Sequence, residues 1–479
     1  MRVLWLCNVM LPAYAKEHGL SFTNREGWLS GCYEKIEKEI ETSKEDRDGS
    51  ALGICFPSNN DEFNLIMNSD RHKNIVKATS FYKEKIRGIS FFGFYGEDLN
   101  LPENYVPELE SSFDQIIREF KPDIVHIFGT EFPHSLAMLR AVNKINSENE
   151  KNGLKIKTLL GIQGLCSEIE KCYMAGLPEE VQKAESIRDK LKNDSLQNQL
   201  TKYKSRAEHE LEAISLTDHI TGRTKFDHDV AEKINPKAVY HAMNETMRSC
   251  FYDEKSIWNL NEARPHTIFM SQGDYPLKGF HFMIEAMDIL VKRYPDARLF
   301  VGGNSIIGKP DRRTVEIKDD ESSQKAGKSK YPLFIRISEY GLYLRKLISK
   351  YHLKKNVTVL GKLSAEQMKE QFLKCSVYVC PSVLENSPNS VGEAMLLGVP
   401  VAASRTGGIP DMIEDRKSGV LFEPENAAAI AETISEMWDE SVITSVYGEN
   451  ARKKALITHD PKTNYERLID IYRAISKIG

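Results

Sequence analysis

Positive charge is in short supply in this 479-residue chain: Lys plus Arg total 65 against 69 Asp plus Glu, a formal net charge of −4. That balance leaves no surplus of cations to neutralise a phosphate backbone, which excludes generic nucleic-acid binding. Long apolar runs are missing too, since nowhere do about 18 apolar residues follow one another, the length a membrane-crossing helix needs. The opening MRVLWLCNVM has too short an apolar run and a single early Arg, so no secretory leader is expected. Eight cysteines (Cys7, Cys32, Cys55, Cys166, Cys172, Cys250, Cys375 and Cys380) lack the CxxC pairs of a zinc site. Several lie in apolar runs such as VLWLC and VYVC, so core thiols in a reducing cytoplasm are the expectation. No GxGxxG fingerprint follows a strand-like run, which weighs against a dinucleotide-dependent dehydrogenase.

What the chain does have is repetition. Short β-branched runs alternate with longer amphipathic segments: VLWLC (3–7), ALGICF (51–56), DIVHIFG (123–129), TLLGIQG (158–164) and HITGRT (219–224). Buried parallel strands read as continuous apolar runs of this kind. The pattern restarts with HTIFMSQG (266–273), ARLFVGG (297–303), NVTVLGKL (356–363), SVYVCPS (376–382) and VPVAAS (399–404). Two tandem α/β doubly wound domains follow, which a chain about twice the length of one ordinary core can fill. Both periodicities fade at 245–265, the expected linker. The charged stretch 309–330 reads as a long exposed loop, and the polar segment 178–206 as either a solvated helix or a lid over an acceptor.

The densest signal is PSVLENSPNSVGEAMLLGVP at 381–400. A strand, SVYVC, delivers this segment to the carboxyl edge of a sheet, where open α/β sheets bind ligands. Ser387 then Pro388 fit a helix cap and first position, with Gly398 closing the helix. Amides around Asn389, Ser390 and Val391 would face a crevice and suit a phosphate. Glu393 falls one turn inside that helix and Glu385 on the loop before it, so one carboxylate can accept from ribose hydroxyls and the other can reach a sugar.

The run PSVLENSPNSVGEAMLLGVPVAASRTGGIPDMI closely resembles the E-x7-E region of the retaining glycosyltransferases of GT-B architecture in glycosyltransferase family 4. SQGDYPLKGFHFMIEAM (271–287) is similar to that family's strand, phosphate loop and helix, KPDIVHIFG (121–129) to a strand of its first domain, and AVYHAMNETMRSCFY (238–252) to the strand before its domain crossover. The resemblance implies two Rossmann-like domains facing across a cleft: 1–250 on the acceptor side, 251–459 binding the nucleotide sugar, and 460–479 as a terminal helix crossing back. It implies a cytoplasmic hexosyltransferase that takes a UDP- or GDP-type nucleotide sugar as substrate, needs no obligatory metal or other cofactor, and builds a bacterial surface or exopolysaccharide on a carbohydrate or lipid-linked saccharide acceptor. By the same carry-over Lys278 meets the leaving diphosphate, Glu385 the donor sugar and Glu393 the ribose. Two positions depart from the family pattern: Gln272 stands where an Arg is usual, and Gln163, before Gly164, where many members have His.

Further candidates come from the first half. His126 lies inside an apolar strand and is either a core residue or catalytic; Glu131 and His134 follow that strand and could orient or deprotonate an acceptor hydroxyl. Gly31, in REGWLSG with Trp28, would allow close approach of donor phosphate or acceptor. DHD at 227–229 and DRD at 46–48 lie in helical or loop context, where a metal-binding DxD does not belong. Arg345, Lys346, Lys350, Lys354 and Lys355 form either a solvated helix face or a contact with the anionic inner face of a membrane. A sugar-nucleotide-binding pseudoenzyme that scaffolds another transferase, and a GT-B sugar-nucleotide epimerase, are the alternatives to transfer.

Overall fold

The computed structural model describes residues 1–20, 27–42, 51–59, 61–62, 76–78, 80–96, 101–149, 155–304, 306–308 and 336–477. The charged stretch 309–330 and the DRD at 46–48 lie outside these residues, as does the side chain of Trp28. The chain divides into two compact units, Met1–Glu168 with Lys202–Met247 and His459–Gly479, and Ile169–Thr201 with Arg248–Thr458.

Nine strands build the sheet of the first unit: β1 (Arg2–Leu6), β2 (Ala51–Pro57), β3 (Val76–Lys77), β4 (Phe81–Ile86), β5 (Ile89–Phe94), β6 (Ile124–Phe128), β7 (Lys157–Gly161), β8 (His219–Gly222) and β9 (Val239–Ala242), in the order β3-β4-β5-β2-β1-β6-β7-β8-β9. All pairs are parallel except β3–β4 and β4–β5. Alternation of side chains sends Leu4 and Leu6 of β1 into one core and Val3, Trp5 and Cys7 into the other, which is why the strand is apolar throughout. The second of these cores takes Leu468, Ile471, Tyr472 and Ile475 from the terminal helix Pro461–Lys477, spaced three and four apart on one face. Tyr472 accepts a hydrogen bond from Trp5 Nε1 at 2.8 Å and meets His126 Nδ1 at 2.7 Å.

In the second unit β10 (Thr267–Met270), β11 (Arg298–Gly302), β12 (Val357–Gly361), β13 (Val377–Cys380), β14 (Val401–Ser404) and β15 (Val420–Phe422) form an all-parallel sheet ordered β12-β11-β10-β13-β14-β15. Counted from β10 this is the doubly wound 3-2-1-4-5-6 order, whose direction reverses between β10 and β13, and ligands bind beyond the carboxyl ends of the strands at such a reversal.

One boundary differs from the sequence expectation of a continuous first domain over 1–250: residues 169–201 cluster with the second unit. The physical reason is specific anchoring. His281 lies between the Tyr340 hydroxyl (3.1 Å from Nδ1) and the Ala175 carbonyl (3.3 Å from Nε2). Asp189, 1% exposed, accepts from the Glu339 amide at 2.7 Å in the first turn of the helix Glu339–Lys350, whose cap is Ser338. Gly176 lies so close to Phe282 that a Cβ there would fall 2.1 Å from its ring.

Candidate active site in the second unit

The loops leaving β10 and β13 meet at the reversal point and enclose a crevice of about 250 Å³, lined by Ser271, Gln272, Lys278, Tyr378, Cys380, Ser382, Glu385 and Ser390 among others. A second space, in the first unit beside Phe128, Met243, Tyr465 and Leu468, has one carboxylate in its lining, Glu245, already engaged by Arg223. The crevice of the second unit is therefore the chemically equipped one.

Backbone approach shapes its floor. Gly279, at φ +70°, ends the short turn Pro276–Lys278, and a Cβ there would lie 1.9 Å from the Pro381 carbonyl oxygen. Only glycine lets the two loops touch, and the contact fixes where Lys278 projects. The loop after β13 is held by the Val383 amide on the Leu277 carbonyl (2.8 Å), by Ser404 Oγ on the Cys380 carbonyl (3.0 Å) and by Thr406 Oγ1 on the Val383 carbonyl (2.8 Å). The Gly408 amide reaches the Glu385 carbonyl at 3.0 Å. A segment tied at this many points holds its side chains in place before any ligand arrives.

The cation and the carboxylate of the crevice are paired. Lys278 Nζ donates to Glu385 Oε1 at 2.6 Å, and Ser382 Oγ donates to the same oxygen at 2.7 Å. Burial presses the Lys278 pKa down, but the adjoining Glu385 charge outweighs it and holds the ammonium above the usual lysine range. Behind them Tyr378, buried, donates to Ser390 Oγ at 2.7 Å and lies 3.0 Å from Ser271 Oγ, linking the loop after β10 to the helix Asn389–Leu396. Gln272 turns its amide to Asp274 Oδ2 at 3.2 Å. Burial followed by the Glu385 charge pushes the Cys380 thiol up to about 12, so it is no nucleophile at neutral pH.

The helix start is one residue later than expected. Pro388, not Ser387, is the cap, because its extended backbone precedes helical Asn389 and the Ser387 hydroxyl bonds no amide of the first turn. Ser387 Oγ is buried without a partner among the described residues. The Val391 amide donates to the Pro388 carbonyl at 3.0 Å and its side chain is fully buried, so Val391 offers nothing to a phosphate; the Ser390 amide and hydroxyl remain at the helix N-terminus. Glu393, 3% exposed, is clasped by Arg248, whose Nε donates to Oε1 at 2.7 Å and Nη2 to Oε2 at 2.8 Å. Burial raises the Glu393 pKa and Arg248 opposes it. Arg248 had no local signal: 145 residues separate the partners.

Several first-unit candidates are structural. His126 is fully buried, its pKa driven by burial to about 3, so it cannot exchange protons with a substrate and leaves the catalytic set. His134 is also fully buried, with Nε2 at 2.9 Å from Asn8 Oδ1 and its ring stacked on Phe132. Gly31 lies inside the helix Gly27–Thr42, where a Cβ would come 3.1 Å from Thr246; its lack of a side chain serves that packing. Gln163 donates to Glu245 Oε1 at 2.8 Å, and Arg223 Nη1 reaches Glu245 Oε2 at 2.6 Å. Glu131 stands at the carboxyl end of β6, its pKa raised by burial. Of DHD, Asp227 serves a capping box with Thr224, whereas His228 and Asp229 lie with Glu232 on an exposed helix face within 4.8 Å of one another. Asp229 is paired there with Lys225.

Residues 252–454, which contain the whole crevice, match the family described as Glycosyl transferases group 1. The chain carries a glycosyltransferase domain. Sulfoquinovosyl transferase SQD2 of Arabidopsis thaliana is 31% identical over 97 residues, 20% of this chain and 19% of its own length. Alpha-maltose-1-phosphate synthase of Mycobacterium tuberculosis is 29% identical over 123 residues, 24% of this chain and 32% of its own. The chain thus spans between 19% and 32% of the length of these curated relatives. Among solved structures, sucrose-phosphate synthase from Thermosynechococcus elongatus aligns over 100% of both chains with a TM-score of 0.61 at 12% identity. Anabaena HepE in complex with UDP and glucose aligns over 99% of this chain and 100% of its own, with a TM-score of 0.60 at 14% identity. At such identities the likeness is one of fold: two Rossmann-like units of the GT-B glycosyltransferase architecture.

Proposed function

We propose that this glycosyltransferase domain retains configuration in the manner of glycosyltransferase family 4, moving a hexose from a UDP- or GDP-type nucleotide sugar to a hydroxyl of a carbohydrate or lipid-linked acceptor, in polysaccharide or glycolipid synthesis. One observation carries the reading: Lys278 and Glu385 lie together in the crevice at the strand-order reversal, beside the Ser390 end of a helix. In the transfer the bond from the anomeric carbon to the diphosphate oxygen breaks, a bond to the acceptor oxygen forms, and the acceptor's proton passes to the departing diphosphate. Negative charge grows on the departing diphosphate as the sugar becomes oxocarbenium-like. Lys278 and the Ser390 amide meet that charge, so the reading requires no metal. Glu385, released from Lys278 as the phosphates take the ammonium, turns its carboxylate to the hexose hydroxyls. Glu393, oriented by Arg248, keeps lone pairs for the ribose.

The HepE complexes with UDP and glucose and with UDP-glucose support the donor class. The test is a thermal-shift screen of nucleotides, since a nucleotide that binds the native state raises the melting midpoint, followed by nucleotide release from the matching sugar donors with a panel of acceptors. Tight nucleotide binding with no turnover on any donor would replace transfer by the pseudoenzyme reading.

A further inference from the structure

The first unit has its own strand-order reversal, between β1 and β6, and the residues following these strands include Asn8, Gly129, Thr130 and Glu131. Beside them Arg206, on the helix Leu196–Leu216, donates from Nε to the Glu131 carbonyl at 2.8 Å. Its guanidinium carbon lies 5.0 Å from the Tyr203 ring centre and 5.9 Å from that of Phe132, so one hydrogen bond and two aromatic faces hold the group in place. Among the described residues its terminal nitrogens make no hydrogen bond and no carboxylate lies within 4.0 Å of them. Arg223 and Arg248, whose side chains are 9% and 19% exposed, each have a carboxylate partner, at 2.6 and 2.7 Å. A guanidinium held in place by one hydrogen bond and two rings, with its terminal nitrogens unengaged, is preorganised to receive an oxyanion. Glu131 and Glu210 lie near enough to favour the Arg206 charge without pairing with it; burial pushes the Glu131 carboxyl pKa upward while Arg206 opposes the shift, and Glu131 Oε2 is buried without a partner among the described residues, packed toward Gly129 and Asn8.

We propose that Arg206 recognises an oxyanion on the glycosyl acceptor, a uronate carboxylate or a sugar phosphate. A planar guanidinium offers two parallel N–H donors that match either group bidentately. The inference rests on the transfer reading for the word acceptor and adds the acceptor's charge. Arg206 binds substrate and takes no part in bond making.

Ligand-observed NMR with methyl β-glucuronoside, glucose 1-phosphate and methyl β-glucoside tests it on the full chain without any donor. At least one oxyanion probe binds tenfold or more tightly than the neutral glucoside, weakening with added salt. R206Q abolishes that preference, R206K keeps part of it, and both variants bind UDP and GDP within twofold of the parent. Preference for the uronate alone or the phosphate alone supports the proposal and names the source. In transfer assays R206Q raises the acceptor KM tenfold or more and leaves kcat in place. Equal binding of charged and neutral probes by the parent, or a preference that survives R206Q, overturns the proposal. Failure of every donor to turn over would instead remove the transfer reading, with the oxyanion preference still read by NMR.

Discussion

Replacing Glu393 by Gln tests how the helix Asn389–Leu396 is held. Both carboxylate oxygens of Glu393 accept from Arg248, and the two side chains are 4% and 19% exposed. Removing one member of such a buried pair costs about 3–5 kcal/mol, because the remaining charge is left without compensation. Gln retains one carbonyl acceptor, and a neutral acceptor bonded to a charged donor returns about 1.5 kcal/mol, so the net loss is about 1.5–3.5 kcal/mol. For a unit of this size that loss lowers the melting midpoint by about 5–10 °C. Calorimetry of the parent, E393Q, R248M and the double variant reads it directly, and the two single changes couple by about 2–3 kcal/mol. A midpoint for E393Q within about 1 °C of the parent, or losses that simply add, would show that the ion pair does not hold this helix.

Two further outcomes follow from the same unit. Burial lowers the His281 pKa to about 4, below its unfolded value, so the unfolded state takes up the extra proton between pH 6.5 and 4; the stability is present above this window and lost as pH falls through it. His281→Gln flattens the pH dependence of denaturation midpoints there by up to about 1.4 kcal/mol per pH unit, whereas parallel profiles for parent and variant would refute the assignment. Gly279→Ala places a Cβ 1.9 Å from the Pro381 carbonyl oxygen at φ +70°, costing about 2–4 kcal/mol through the left-handed backbone and the overlap. Nucleotide affinity falls with it because Lys278 is displaced, and a variant with the parent's stability would show that the loops part freely.

Five strands of each sheet, β1, β2, β6, β7 and β8 and then β10 to β14, were legible because buried parallel strands are apolar from end to end, as VLWLC and SVYVC are. The short edge strands β3 and β15 and the hairpin β4–β5 were not: Lys83 and Lys85 interrupt β4 with charge, and Glu84 is buried through distant partners, Tyr14 and His18. At the site, Glu385, Lys278 and Ser390 could be read from a strand, a turn and a helix start in sequence. What could not be read is pairing over distance. Nothing near residue 248 marks an arginine that will clasp a carboxylate 145 positions away, and nothing in 169–201 announces that it packs on Phe282 and bonds His281 and the Glu339 amide. The Ser387 cap failed because its hydroxyl bonds no amide of the helix's first turn, a side-chain geometry that spacing does not encode. His126 shows the opposite error, a residue with catalytic chemistry spent on a hydrogen bond to Tyr472 in the core.

The central claim is that the Lys278–Glu385 crevice transfers a hexose from a nucleotide donor. Its most direct test is nucleotide release from UDP- and GDP-hexoses by the parent and by E385Q, with free-nucleotide affinity titrated in parallel. Under the proposed function Glu385 acts on the sugar and not on the nucleotide, so E385Q is expected to bind the free nucleotide within about threefold of the parent while turnover drops by about 100-fold or more, about 2.7 kcal/mol of transition-state stabilisation. No release by the parent with any donor, or release by E385Q at the parent's rate, would contradict the account.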